Sequence, residues 1–430
     1  MLDIRFIRDN AEAVQQASGQ KGYKVDIAAL LQLDDERREL LTKTEEIRQE
    51  RNALASSLKQ GKPSSEQIER GKTLKTELAE LEDHLRVTEE AFIKALKNIP
   101  NMPLPDVPVG ASEDENVITK TVGTQPVFDF EPKNHWQIGE ARGWIDKERA
   151  AKVAGSRFAY VKGDLAMLWF ALVNFGLSVI TNEETLAKII ETNQLKVSSK
   201  PFTLVLPPAV ARTEVYDATA RLDKEVQTYK LADDDLWLNA SAEHTMAPMY
   251  LGEVLPESEL PIRLAGYTTA FRREAGTYGK DMEGIFRLHQ FNKLEMESFT
   301  TAETSLDEHL FMVAIQEYLM QQLGLPYNVV MKCTADIGGP NARGVDIDTW
   351  LPGQDRYRET HTADLITDYQ ARRMNTRVRR EAGLEFVHTN DATVFSERPM
   401  IAIIENYQQQ DGTVRVPEVL QPYLGGRKIL

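Results

Sequence analysis

The chain has 430 residues, with 42% hydrophobic and 27% charged side chains, 25 Gly and 19 Pro. This composition fits an ordinary globular chain of two or three domains and excludes disordered, collagen-like and small stapled scaffolds. The single cysteine, Cys333, rules out an internal disulfide or a multi-thiolate metal cluster, and the net charge of −15 argues against a polyanionic partner until its distribution is considered.

Asp3, Arg5, Arg8 and Asp9 fall within the first nine residues and leave no apolar stretch for a secretory leader. The longest apolar run, residues 165–173, falls far short of the roughly 20 residues of a membrane span. A cytoplasmic protein with no membrane partner is expected.

Residues 27–99 carry the strongest periodicity. Leu33, Leu40, Ile47 and Leu54 repeat at seven, and Leu74, Leu78, Leu81, Leu85, Thr88, Phe92, Ala95 and Ile99 alternate steps of four and three, the seam of a coiled coil. Between the two runs lies a Gly-Lys-Pro-Ser-Ser turn, and Ser64 with Gln67 has the form of a capping box. Two antiparallel helices are predicted, each about 45 Å long at 1.5 Å per residue. Residues 37–97 hold 13 Lys/Arg against 12 Asp/Glu, and Lys59, Lys62, Arg70, Lys72 and Lys75 near the turn outnumber their two acidic neighbours. Such a tip suits phosphate backbones, which need cations but no base-reading geometry; a dimerising coiled coil is the other reading.

Residues 104–116 are rich in proline and acidic at their end, and read as a linker between an N-terminal domain, 1–103, and a larger domain, 117–430. In the larger domain, β-like runs at 202–206, 236–238, 327–331 and 400–404 mix with helical runs at 164–180 and 304–323. Strands mostly follow strands without a helix between them, so an α+β domain with a mainly antiparallel sheet is predicted. Neither a Walker-type loop nor a G-x-G-x-x-G is present, so a nucleotide would bind another way.

Residues 267–297 read as a long hairpin around a polar loop. Strand alternation puts Arg287, His289, Phe291, Lys293 and Glu295 on one face and Phe286, Leu288, Leu294 and Met296 on the other, with Arg272 and Glu274 aligned on the first strand. A solvated sheet face would explain the charges but not Phe291. A nucleotide platform explains both, with a ring to stack a base, guanidinium groups for phosphates and a carboxylate for an amine or hydroxyl.

Phe271-Arg272-Arg273-Glu274, a long loop, then Arg287-x-His289-Gln290-Phe291-x-Lys293-x-Glu295 resembles the second signature motif of class II aminoacyl-tRNA synthetases, in the form found in seryl-tRNA synthetases. The likeness runs nearly end to end, through MLDIRFIRDN, DDERREL, HWQIGEARGWID, ERAAKVAGSRF and IAIIENYQQQDGTVRVPEVLQPYLGG. The resemblance implies a helical arm that binds the long variable arm of tRNA(Ser), with tRNA(Sec) as a further partner, and a homodimer meeting near Pro207-Pro208. It implies that Arg272 holds the ATP α-phosphate and the amino acid carboxylate. Glu274 would lie near the adenine, Phe291 would stack on it, and Arg398 would reach the γ-phosphate. Glu359 would bind magnesium, with Arg273, Thr360, His361 and Thr362 alongside ATP. Ser241, Ala242 and Glu243 would receive the substrate amine, and Glu295 would read the side chain of L-serine. ATP is then a substrate, Mg2+ the ion, and zinc is not expected.

Two stretches depart from the family pattern. Glu359-Thr360-His361-Thr362 and Asp364-Leu365-Ile366 replace Glu-Ile-Ser-Ser and Ser-Asn-Cys, and residues 390–398 lose a glycine-rich run. Ala392 stands where the family has a substrate-touching serine, with Thr393 or His361 as replacements. Two alternatives stay open on the residues alone: a tRNA-binding protein without charging activity, or a ligase for another small amino acid. His289 and His361 are expected to line the site without acting as bases, and Cys333 to be a buried hydrophobe.

Overall fold

The computed structural model describes residues 1–58, 64–222, 227–274 and 284–430. Lys59 and Lys62 of the expected basic tip, and most of the polar hairpin loop, lie outside the described residues. The chain divides into two compact units, Met1–Met102 and Pro103–Leu430.

In the first unit, helices α1 (Ile4–Asp9) and α2 (Ala11–Gln20) precede α3 (Ile27–Leu58) and α4 (Ser65–Lys97). The seam positions behave as their spacing requires. Leu40, Leu74, Leu78, Thr88, Phe92 and Ile99 are buried, while Leu33, Ile47, Leu54, Leu81, Leu85 and Ala95 are half-buried. The capping box forms in both directions, with the Gln67 N–H donating to Ser64 Oγ at 3.2 Å and the Ser64 N–H to Gln67 Oε1 at 2.9 Å. Ion pairs Arg48–Glu82 (2.8 Å) and Arg70–Glu50 (2.7 Å) stitch the two long helices across their exposed flanks, where each contributes little beyond register.

The second unit is built on an eight-stranded sheet. Its strands are β1 (Val117–Val122), β2 (Thr203–Val205), β3 (Ile262–Phe271), β4 (Gln290–Thr300), β5 (Tyr327–Met331), β6 (Arg343–Leu351), β7 (Arg356–Thr367) and β8 (His388–Ser396). Their order is β1-β5-β6-β7-β8-β4-β3-β2, antiparallel throughout except for the β2–β3 edge pair. One face packs on helices α5 (Gly163–Ile180), α6 (Ser305–Leu323) and α7 (Arg398–Asn406) through Leu294, Met296, Ile347, Ala363, Ala392 and Val394. Helix α5 is long and apolar enough to cross a bilayer, but Leu165, Leu168, Leu172 and Val179 are buried in this core.

One expectation changes. Residues 400–404 are helical within α7, not a strand; Pro399 sits in the first turn and the run is buried all round, so no periodicity marks it. Residues 104–116 are tied to the second unit, through the Leu104 N–H to the Ala342 carbonyl (2.8 Å), the Thr334 N–H to the Pro108 carbonyl (2.9 Å) and the ion pair Asp106–Arg343 (2.8 Å). Cys333 is buried, as expected of a hydrophobe.

Candidate active site

The face of the sheet opposite the helices carries the polar residues, and a cavity of about 250 Å³ opens over it. Where β3 ends, the Arg272 N–H donates to the His289 carbonyl (2.9 Å) and Arg272 Nε to the Ala240 carbonyl (3.1 Å), which leaves the rest of the guanidinium directed elsewhere. That guanidinium lies 5.3 Å from the ring centroid of Phe291, which faces Ala270 across the hairpin. Arg398, the first residue of α7, is 3.0 Å from Glu359 Oε1 and stacks 4.6 Å from the Phe286 ring, which Arg358 also covers at 3.9 Å. Glu274 takes a left-handed backbone (φ 49°) and pairs with Arg287 at 3.5 Å.

A bulge aims the next group. Asp348 pairs with Glu359 and Ile347 with His361, so Thr360 is the extra residue of β7. Its hydroxyl is 2.7 Å from Thr349 Oγ1, and Glu359, Thr360 and Thr362 line the cavity. Burial raises the Glu359 carboxyl, but Arg398, Lys332 and Arg272 override it and bring it to about 2; 49% of the side chain stays accessible. Asp348 behaves oppositely, pushed up to about 6 by burial and by Glu359.

At the inner end, Lys293 Nζ is 2.6 Å from Glu295 Oε2 and donates to Ser241 Oγ at 3.1 Å. Gly266 on β3 explains how the Ser241-Ala242-Glu243 segment lies so close to the sheet: a Cβ there would fall 2.4 Å from Met246 Sδ and 3.1 Å from the Ala242 Cβ. Burial keeps the Glu295 carboxyl well above its usual range against the pull of Lys293. Glu243 is also penalised by burial, but Lys293 and Arg221 pull it below.

Of the residues singled out in the sequence, Arg272, Glu274, Phe291, Glu359, Thr360, Thr362 and Arg398 line this cavity, and Ser241, Glu243 and Glu295 join it through Lys293. Others are placed elsewhere. Arg273 stacks 5.8 Å from Tyr229 and does not line the cavity. His361 turns into the core: Nε2 is 3.1 Å from the Val394 carbonyl, its ring is 5.8 Å from Phe395, and burial drives it down to about 3, so it is neutral. His289 likewise holds the Arg272 carbonyl through Nδ1 (2.9 Å) beside Phe158 and Tyr229. Ala392 pairs with Met296 and Ala363 on the core face, whereas Thr393, opposite Glu295, faces the cavity. Pleating thus keeps a hydroxyl at the site one residue later than the motif comparison placed it.

Phe286, expected on the core side, is buried in the core cluster and also lines the cavity, since the strand starts only at Gln290 and alternation does not extend back to it. Lys332 and Asp364 also line it and were not singled out. The alternating Asp346 and Asp348 of β6 were the available signal for Lys332, which is 3.8 Å from Asp346.

An antiparallel sheet with this arginine pair and ring is the arrangement of a class II aminoacyl-tRNA synthetase, and the class II tRNA synthetase core domain family (G, H, P, S and T) matches residues 227–407. The seryl-tRNA synthetase N-terminal domain family matches residues 1–103. The chain is 40% identical to a serine–tRNA ligase of Desulforapulum autotrophicum, covering 100% of this chain and 99% of that one, and 42% identical to one of Thermodesulfovibrio yellowstonii, covering 99% of each. A crystal structure of seryl-tRNA synthetase from Pyrococcus horikoshii complexed with ATP superposes with a TM-score of 0.88 at 34% identity, covering 100% of this chain and 99% of that one. A cytoplasmic serine–tRNA ligase of Naegleria fowleri in complex with AMP gives 0.84 at 27% identity, covering 100% and 98%. The chain belongs to the seryl-tRNA synthetase family.

Proposed function

We propose that this protein activates L-serine with ATP and loads it onto tRNA(Ser), and onto tRNA(Sec) as well. A serine carboxylate oxygen attacks the α-phosphorus in line; the bond to the β-phosphate bridge breaks, giving seryl-adenylate and pyrophosphate. A terminal ribose hydroxyl of the tRNA then attacks the acyl carbon and AMP leaves. Neither step needs an enzyme nucleophile, so the protein's work is positioning and charge neutralisation. The observation that carries this reading is the convergence of Arg272, Phe291, Glu359 and Arg398 on one cavity.

In this reading Phe291 stacks on adenine, Arg272 and Arg398 take the phosphates, and Lys293 orients Glu295 toward the serine hydroxyl while Ser241 and Glu243 receive the ammonium. The donors available beside the phosphates, the Glu359 carboxylate and the Thr362 hydroxyl, are hard oxygens that fit Mg2+. The ion, when bound, neutralises charge on the phosphate oxygens. Arg273, His361 and Ala392 act from behind the lining. The N-terminal arm, 1–103, binds tRNA through Arg70, Lys72 and Lys75, with Lys59 and Lys62. A homodimer in the cytoplasm completes the reading; the edge strand β2 leads into Pro207-Pro208 with Leu204 and Leu206 exposed (47% and 78%), apolar surface that a second copy would cover. Serine-dependent ATP–pyrophosphate exchange and tRNA charging test the proposal; absence of exchange with every amino acid overturns it.

A further inference from the structure

Behind the amino acid end of the cavity, three acidic residues lie side by side on neighbouring strands. Asp364 on β7 pairs with Asp391 on β8, and Asp391 pairs with Glu297 on β4. Directly opposed residues share a face at close Cβ spacing, and like charges there are destabilising. All three are buried, and neither Glu297 oxygen has a hydrogen-bond partner among the described residues. An apolar or amide row would pack at lower cost. Lys332 acts on the Asp364 end of this row, and Arg221 meets its middle from outside the sheet: Arg221 Nη2 is 3.0 Å from Asp391 Oδ2 and 4.0 Å from Glu243 Oε1. Its backbone is fixed by a bond from its N–H to the Tyr216 carbonyl (3.0 Å) and by the left-handed Ala220 before it (φ 59°). Asp364 lines the cavity itself, so the row begins at the cavity wall and runs inward.

We propose that Arg221 is a specificity-determining positioning residue of the amino acid pocket, holding Asp391 and Glu243 so that the Glu243 carboxylate presents negative charge to the ammonium group of a small, uncharged-side-chain amino acid. This rests on the serine-activating function proposed above. The charged and titratable groups that act on Arg221 and the row are Glu243 and His244 from one helical turn, Tyr216 from another, Asp364 from β7, Glu295, Glu297 and Lys293 from β4, and Lys332 after β5, which acts on Asp364. Burial raises Asp364, Asp391, Glu295 and Glu297, so Glu243 is the carboxyl of this set that stays ionised, and it attracts an incoming ammonium and repels an acidic side chain. Burial, Glu243 and Asp364 push the Asp391 carboxyl up to about 8 even with Arg221 pulling it down, whereas Lys293, His244 and Arg221 hold Glu243 below its usual value against burial, so removing the guanidinium makes Glu243 harder to ionise.

The experiment is ATP–pyrophosphate exchange with the full chain. The unmodified protein must first exchange with serine; if it does not, the activity reading fails and this inference is not what failed. Arg221→Met is expected to raise the serine KM at least tenfold with the ATP KM within twofold, and to move the acid limb of kcat/KM for serine to higher pH. Arg221→Lys should restore part of both. Asp391→Asn, nearly isosteric and leaving Arg221 in place, should raise the serine KM about fivefold and carries the test if Arg221→Met fails to fold. Unchanged serine KM and pH profile in these variants, or serine and ATP KM rising together without rescue by lysine, overturns the proposal.

Discussion

The register of β8 makes a paired prediction that separates two readings of the same stretch. Thr393 faces the cavity opposite Glu295, and Ala392 is fully buried between Met296 and Ala363. Thr393→Ala removes a hydroxyl from the cavity wall; if it bonds the substrate in the proposed reaction, a neutral hydrogen bond contributes about 0.5–1.5 kcal/mol, so the serine KM should rise about 2- to 12-fold with little change in the ATP KM. Ala392→Ser puts a hydroxyl into the apolar layer under the helices, with Met296 and Val394 as neighbours in the core. It should cost about 1–3 kcal/mol of stability and gain no affinity for serine. Serine-dependent exchange supplies the two KM values, and denaturant unfolding supplies the stability. If Ala392→Ser lowers the serine KM while Thr393→Ala leaves it alone, β8 is displaced by one residue and the cavity face described above is wrong, since a one-residue slip exchanges every side chain between faces.

Arg398→Ala removes the guanidinium proposed to take a phosphate and leaves Glu359 without its 3.0 Å partner, so the ATP KM should rise about tenfold to a hundredfold while the serine KM moves little; an unchanged ATP KM would take Arg398 out of the site. Asp391 gives a stability prediction with a definite sign. Its folded value of about 8 lies above the ordinary 3.8, so the folded state holds a proton that the unfolded state has released, and stability falls as pH rises between those values, by up to about 1.4 kcal/mol per pH unit. Denaturant midpoints at pH 5 and pH 8 should show that loss in the unmodified chain and a smaller one in Asp391→Asn; equal slopes would contradict it. Deleting residues 59–75 should weaken tRNA charging and spare pyrophosphate exchange, and Lys75→Ala alone should lower the salt dependence of tRNA binding by about one phosphate contact; loss of exchange in the deletion would mean that arm and active site are not separable.

Periodicity was a sound guide wherever one pattern covered a long stretch. The heptads of the arm, the capping box at Ser64 and the polar face of Phe291, Lys293 and Glu295 are all legible because each element has one wet side and one dry side. The guide failed where the chain leaves regular geometry or is buried all round. Alternation put Phe286 in the core, where it packs, but not in the cavity wall that it also lines, because nothing in the sequence marks Gln290 as the start of the strand. The bulges at Thr360 and between Thr393 and Phe395 change which residues face the cavity, and a bulge has no fixed residue signature. His361 carries the chemistry of a site residue but lies on the dry side of β7. The Arg221 contact to Asp391 spans 170 positions, and only the fold brings them together.

The distribution of charge explains how a chain of net charge −15 can accept a nucleotide triphosphate. Among the described residues, the cavity lining holds five cationic side chains, Arg272, Arg287, Lys293, Lys332 and Arg398, against four acidic ones, Glu274, Glu359, Asp364 and Glu397, so this part of it is slightly positive within an acidic protein. The signs are also sorted along it. Arg398 and Arg272 stand with Phe286 and Phe291, while Asp364 leads into the buried row of Asp391 and Glu297. A zwitterion placed between these ends has its carboxylate drawn toward the arginines and its ammonium toward the Glu243 carboxylate beside that row, which Lys293 and Arg221 keep ionised, the orientation that in-line attack on the α-phosphorus requires. Water in this space would screen both ends, so orientation by field depends on ligands filling the cavity together. Serine and ATP should therefore bind with positive coupling: the serine dissociation constant measured by calorimetry should fall when a non-hydrolysable ATP analogue is present, and independent binding would refute an electrostatic origin for the alignment.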